Sequence, residues 1–75
     1  MKKDLRRGKV TKLVLKEEFG ATSVSNILES LGYEDTGYDE ELKCTIYVKD
    51  SKWYRFIEWE HFNGYVYYIT VKEVI

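Results

Sequence analysis

Residues 42–72 read LKCTIYVK-DS-KWYRFIEWEHF-NG-YVYYITVK, and this stretch decides the fold. Three runs rich in β-branched and aromatic residues, 42–49, 53–61 and 65–72, are separated by Asp50-Ser51 and Asn63-Gly64. Such side chains suit a pleated surface, and Asn-Gly supplies two residues that accept the positive φ of a tight hairpin turn. The pattern predicts a three-stranded antiparallel meander. A two-residue turn at Asn63-Gly64 pairs Phe62 with Tyr65, Glu60 with Tyr67, Glu58 with Ile69 and Phe56 with Val71 on one face. Pairing Val48 with Trp53 across the first hairpin gathers Leu42, Cys44, Ile46, Val48, Trp53, Ile57, Trp59 and Val66 on the other, which is expected to be the core side. The first face then collects Tyr47, Tyr54, Phe56, Phe62, Tyr65 and Tyr67 among Lys43, Lys49, Glu58 and Glu60, and is expected to look outward. A one-residue slip in the first hairpin would exchange the faces of its first strand, and Arg55, which falls on the expected core side, conflicts with this register.

Upstream the period changes. Val24, Ile27, Leu28 and Leu31 recur at helical spacing, Thr22 or Ser23 can cap the start, and Gly32 sits where a left-handed residue ends a helix. This predicts a helix over 23–31 whose apolar stripe faces the sheet. Residues 9–16 alternate Lys12 and Lys16 with Leu13 and Leu15 and are read as an edge strand. Gly37 with Glu34, Asp35, Asp39, Glu40 and Glu41 reads as a polar loop from 33 to 41. The expected architecture is a small α+β domain over 9–75, ordered β-α-β-β-β, preceded by a flexible basic arm at 1–8.

Seventy-five residues leave room for one domain, and 44% apolar with 16% aromatic content is too much for a disordered chain. The formal charge of −1 conceals a division: residues 1–16 carry a net +6 and residues 17–75 a net −7. No apolar run approaches the ~20 residues of a membrane span or the core of a signal peptide, so a cytoplasmic protein with no membrane partner is expected. Cys44 is the only cysteine, which excludes an intramolecular disulfide and a thiolate metal cluster.

Catalysis would have to rest on Cys44 and His61, the only residues of their kinds. In the register above they lie ~13 Å apart at ~3.3 Å per residue, beyond hydrogen-bond reach. Glu58 and Glu60 share a sheet face that His61 does not, so the three do not converge on a metal, and the acidic run 34–41 lacks the order of a calcium loop. The five glycines are isolated, and none forms a phosphate cradle. No catalytic residue, metal or cofactor is expected.

Residues 18–28, EFGATSVSNIL, resemble the turn and second helix of helix-turn-helix proteins. The interval from glycine to Val-Ser is about two residues too short, the residues before Gly20 look extended, and the helix carries no Arg or Lys. Nucleic-acid binding would therefore lean on the cations Lys2, Lys3, Arg6, Arg7, Lys9 and Lys12, with the 23–31 helix or the tyrosine face as a stacking platform. Protein binding asks less of the same chain, because interface centres favour aromatic residues with charges at the rim. The expected function is a non-enzymatic inhibitor- or adaptor-like protein, of a kind common among phage and mobile-element products. Its expected site is Tyr47, Tyr54, Phe56, Tyr65 and Tyr67 with Lys49, Glu58 and Glu60, and its partner another protein or a second copy. The alternative is a small DNA- or RNA-binding regulator.

Overall fold

The computed structural model describes residues 5–19 and 23–75. Its elements are β1 (Val10–Phe19), α1 (Val24–Ser30), β2 (Glu34–Asp39), β3 (Cys44–Lys49), β4 (Lys52–Phe62) and β5 (Tyr65–Val74). The five strands form one sheet in the order β1-β5-β4-β3-β2, and every neighbouring pair is antiparallel. The expected meander, helix and edge strand are all present. Among the described residues no helix is long and apolar enough to cross a membrane.

Both hairpin turns of the meander form as their residues require. Asp50 and Ser51 have φ of 53° and 64°, Asn63 and Gly64 of 53° and 81°. Two successive positive φ values are the signature of the turn whose twist matches that of the flanking strands. The helix begins at Ser23, whose Oγ accepts from the Asn26 backbone N–H at 3.1 Å. It ends at Gly32 with φ 96°, where the Gly32 N–H donates to the Glu29 carbonyl at 3.0 Å and the Tyr33 N–H to that of Leu28 at 2.9 Å. This bond pair closes the helix, and Tyr33 and Leu28 then enter the core together.

Residues 34–39, expected as loop, are instead the edge strand β2. Glu34 pairs with Val48 and Asp35 with Tyr47, then Tyr38 with Thr45 and Asp39 with Cys44. Nearly all of its side chains are exposed, so no apolar alternation marks it. Backbone pairing holds it, together with bonds at the irregularity: the Thr36 hydroxyl donates to the Ile46 carbonyl at 2.8 Å, and the Gly37 N–H to the Asp35 carboxylate at 2.8 Å.

The register of β4 on β5 explains the second difference. Phe62 faces Tyr65 and Phe56 faces Val71, as the turn requires. Between them Glu60 faces Tyr68, Trp59 faces Ile69 and Glu58 faces Thr70, leaving Tyr67 and Ile57 without opposite numbers. Each is a bulge, and each reverses the alternation of its own strand. Phe56 and Trp59 thereby share one face, while Glu58 and Glu60 join Arg55, Lys72 and Lys12 on the other. The conflict posed by Arg55 disappears, because the face it shares with Glu58, Glu60, Lys72 and Lys12 is the one the helix leaves open.

The helix covers the face expected to be outward. Ile27, Leu28, Ile69 and Val71 are fully buried, and Tyr33 and Tyr47 nearly so, with Leu13, Leu15, Tyr54, Phe56 and Trp59 packed around this core. Tyrosine serves as core here because its hydroxyl finds partners: Tyr47 Oη lies 2.8 Å from Ser25 Oγ, which also donates to Asp35 at 2.8 Å. The rings of Tyr33 and Tyr54 meet edge to face at 5.3 Å. Ile46, Val48 and Trp53, expected on the core side, lie on the sheet face away from the helix; of these Ile46 is still buried, at 5% exposure, whereas Val48 is half-buried and Trp53 exposed.

Candidate functional site

The expected tyrosine surface is divided by this register. Tyr47, Tyr54 and Phe56 belong to the helix-covered core and present no continuous outward face. Lys49, expected at the rim, reaches back to the helix end: its Nζ donates to the Leu31 carbonyl at 2.8 Å and lies 5.0 Å from the Tyr33 ring centre. A cation there neutralises the unpaired carbonyl end of a helix.

Tyr65 and Tyr67 remain outside, and the fold brings a third ring to them. At the distal end of the β4–β5 hairpin Phe62 is 63% exposed, Tyr67 48% and Tyr65 41%. Phe62 and Tyr65 are directly opposite across the turn, and the bulge at Tyr67 brings its ring to 6.5 Å from that of Phe62. Straight alternation counts these positions correctly but does not reveal that they alone, of the tyrosine face, stay in solvent. The signal that marks them is their closeness to Asn63-Gly64, beyond the reach of a seven-residue helix.

A polar seam lies behind this tip. The Tyr68 hydroxyl donates to Glu60, and Lys12 Nζ sits 3.9 Å from the centre of the Tyr68 ring. The hydrogen bond to Glu60 is the first cause that raises the Tyr68 phenol above its ordinary range, followed by partial desolvation and the Glu60 and Glu58 charges. Glu60 and Lys12 are thus both engaged with one cross-strand tyrosine. Glu58, opposite Thr70, is exposed on the same face.

At the other corner of that open face lies a shallow depression of about 300 Å³, lined by Thr36, Gly37, Tyr38, Asp39, Ile46, Val48 and Trp53. Its floor is aliphatic and aromatic, and Tyr38 on its lip is 64% exposed.

The cations divide between known and undescribed positions. Lys2 and Lys3 lie outside the described residues, as does the Gly20–Thr22 step of the helix-turn-helix resemblance. Arg6, Arg7, Lys9 and Lys12 are exposed along the β1 edge. Residues 10–19, before that step, are strand where a helix-turn-helix needs its first helix, and α1 spends Ile27 and Leu28 on the core. Segment 5–8 runs against the domain at Gly8, where an added Cβ would lie 1.6 Å from the Glu73 carbonyl oxygen.

Cys44 starts β3 opposite Asp39, whereas His61 is exposed near the hairpin tip with its ring 6.3 Å from that of Trp59. Among the described residues no three His, Cys, Asp or Glu side chains come together as a metal site. The chain matches no family model, no curated protein and no solved structure.

Proposed function

We propose that this chain is a small non-enzymatic protein-binding module, of the inhibitor or adaptor kind, which engages its partner through the distal β4–β5 hairpin. One observation carries the reading: Phe62, Tyr65 and Tyr67 are all substantially exposed at one end of a molecule that measures 41 × 22 × 20 Å. Three adjacent rings held by a tight turn lose little side-chain freedom when they are covered, and they supply the residue types on which interface energy concentrates. Glu58 and Glu60 behind them are placed as rim charges. Tyr47, Tyr54 and Phe56 drop out of the site because the core uses them. The nucleic-acid reading loses Tyr47, Tyr54 and Phe56 from its stacking platform for the same reason and leans on the cations of the β1 edge.

The test compares the intact chain with a Phe62→Ser, Tyr65→Ser, Tyr67→Ser variant as affinity baits in native-host lysate, with and without nuclease. The expected result is a protein that the intact chain retains after nuclease treatment and the variant does not, with the circular dichroism of the two baits alike. A central aromatic contributes ~2 kcal/mol or more at an interface, so each single change should weaken the purified complex ~30-fold. Equal retention by the variant, or loss of everything bound on nuclease treatment, would refute the proposal.

A further inference from the structure

The two edges of the sheet carry opposite charge. On the β1 side, Arg6, Arg7, Lys9 and Lys12 are exposed. On the β2 side stand Glu34, Asp35, Asp39, Glu40 and Glu41, all exposed except the half-buried Asp39. Both strands are terminal in the order β1-β5-β4-β3-β2. Each therefore turns one row of backbone N–H and C=O groups away from the sheet, a template for another strand.

Charges on edge strands usually deter such pairing, but these deter only like edges. Two β1 edges repel, two β2 edges repel, and β1 against β2 attracts. The match extends to position. Asp35 is opposite Tyr47, Tyr47 opposite Tyr54 and Tyr54 opposite Glu73, whose N–H donates to the Lys9 carbonyl at 2.9 Å. Asp35 and Lys9 thus end the same rung on opposite sides of the molecule. Glu34 ends the adjacent rung, through Val48, Trp53 and Val74.

Four antiparallel steps separate β1 from β2, so the two run in the same direction. A second copy that continues the sheet sideways, turned only by the sheet's own strand-to-strand twist, brings its Arg7–Lys9 to Glu34–Asp35 of the first and keeps its helix on the same face of the continued sheet. A net charge of −1 leaves the copies little repulsion to overcome.

We propose that copies of this chain associate head to tail, the acidic β2 edge of one on the basic β1 edge of the next. The contact is heterologous, so it leaves a free edge at each end and adds further copies as concentration rises.

Charge exchange tests this directly. One variant cancels the charge of the basic edge, Arg7→Glu with Lys9→Glu, and another nearly cancels that of the acidic edge, Glu34→Lys with Glu40→Lys, so that in a mixture only the intact acidic edge of the first and the intact basic edge of the second attract. Sedimentation velocity of the intact chain should show a mean mass that rises with concentration. Association should weaken at least ~10-fold when salt goes from ~0.05 M to ~0.5 M, over which the screening length shrinks about threefold. Each variant alone should sediment as a single chain, and an equimolar mixture should regain a two-chain species. A misfolded variant could not produce that recovery. A single-chain mass for the intact protein at every concentration would overturn the proposal. So would association that strengthens with salt, or a mixture that stays monomeric while both variants keep the native circular dichroism.

Discussion

Tyr47 and Tyr67 sit in strands of similar composition, yet the fold places them in opposite environments, and their replacement by alanine tests the register that does so. Tyr47 is 4% exposed, in the cluster with Leu28, Tyr33, Ile69 and Val71. A buried tyrosine ring removes ~150–250 Å² from water, which at ~25 cal/mol per Å² contributes ~4–6 kcal/mol and agrees with the ~3–5 kcal/mol typical of truncating a core aromatic. A domain of this length has ~4–11 kcal/mol of stability in total, so Tyr47→Ala should remove roughly half. Tyr47→Phe isolates the hydroxyl that meets Ser25 at 2.8 Å and should cost ~1 kcal/mol. Tyr67 is 48% exposed and has no opposite residue in β4, so its replacement should cost under ~1 kcal/mol. Urea unfolding followed by circular dichroism reads all three. With a slope of ~1 kcal/mol per M the midpoint should fall ~3 M or more for Tyr47→Ala, ~1 M for Tyr47→Phe and less for Tyr67→Ala. If Tyr67→Ala costs as much as Tyr47→Ala, the assignment of faces is wrong.

Three further outcomes follow from particular contacts. Gly8→Ala puts a Cβ 1.6 Å from the Glu73 carbonyl oxygen, so β1 must retreat at its start. It should lose ~1–3 kcal/mol, and hydrogen exchange should show reduced protection of the Glu73 amide that now donates to Lys9. Ser23→Ala removes the helix cap at ~1 kcal/mol, read as a melting temperature ~4–8 °C lower. Burial, then the neighbouring Tyr54 and Asp50, raises the Tyr33 phenol above its ordinary value near 10. The unfolded chain therefore releases this proton first, so the stabilisation is complete below pH ~10 and is lost as pH climbs toward the folded value. Tyr33→Phe should flatten that alkaline decline in a series of urea midpoints, and an unchanged slope would count against the burial of this hydroxyl.

Much of the fold was legible because its punctuation is chemical. Asn63-Gly64 and Asp50-Ser51 fix two turns, and Ser23 and Gly32 fix the ends of one helix, each through a demand on φ or on an unpaired backbone group. Two things escaped. β2 lies at an edge with its side chains in water, so its hydropathy resembles that of a loop while its backbone pairs with β3. The bulges at Ile57 and Tyr67 alter no composition and cancel at both ends of the hairpin, since Phe62 still meets Tyr65 and Phe56 still meets Val71. Counting in twos therefore gave the pairs at the two ends, Phe62 with Tyr65 and Phe56 with Val71, mispaired Glu60 and Glu58 between them by one residue, and chose the wrong face for the core. It also favoured aliphatic positions for the core, although a tyrosine whose hydroxyl reaches Ser25, or whose ring meets a neighbouring ring edge to face, serves equally well. The candidate site inherited that inversion: Tyr65 and Tyr67, beside the turn, kept their exposure, while Tyr47, Tyr54 and Phe56, beyond the bulges, did not.

The unopposed residues also say where this chain can change length. Removing Ile57 or Tyr67 takes away a residue with no counterpart, so the remaining pairs of β4 and β5 keep their partners and their faces. Removing a neighbour such as Trp59 or Ile69 would instead shift every pair on one side of the cut. Lineages descended from this protein should accordingly differ by a single-residue gap at 57, keep position 67 for its ring at the exposed tip, and keep an invariant spacing between Glu58 and Phe62, a pattern of insertion and deletion inside a strand where a loop would ordinarily absorb it.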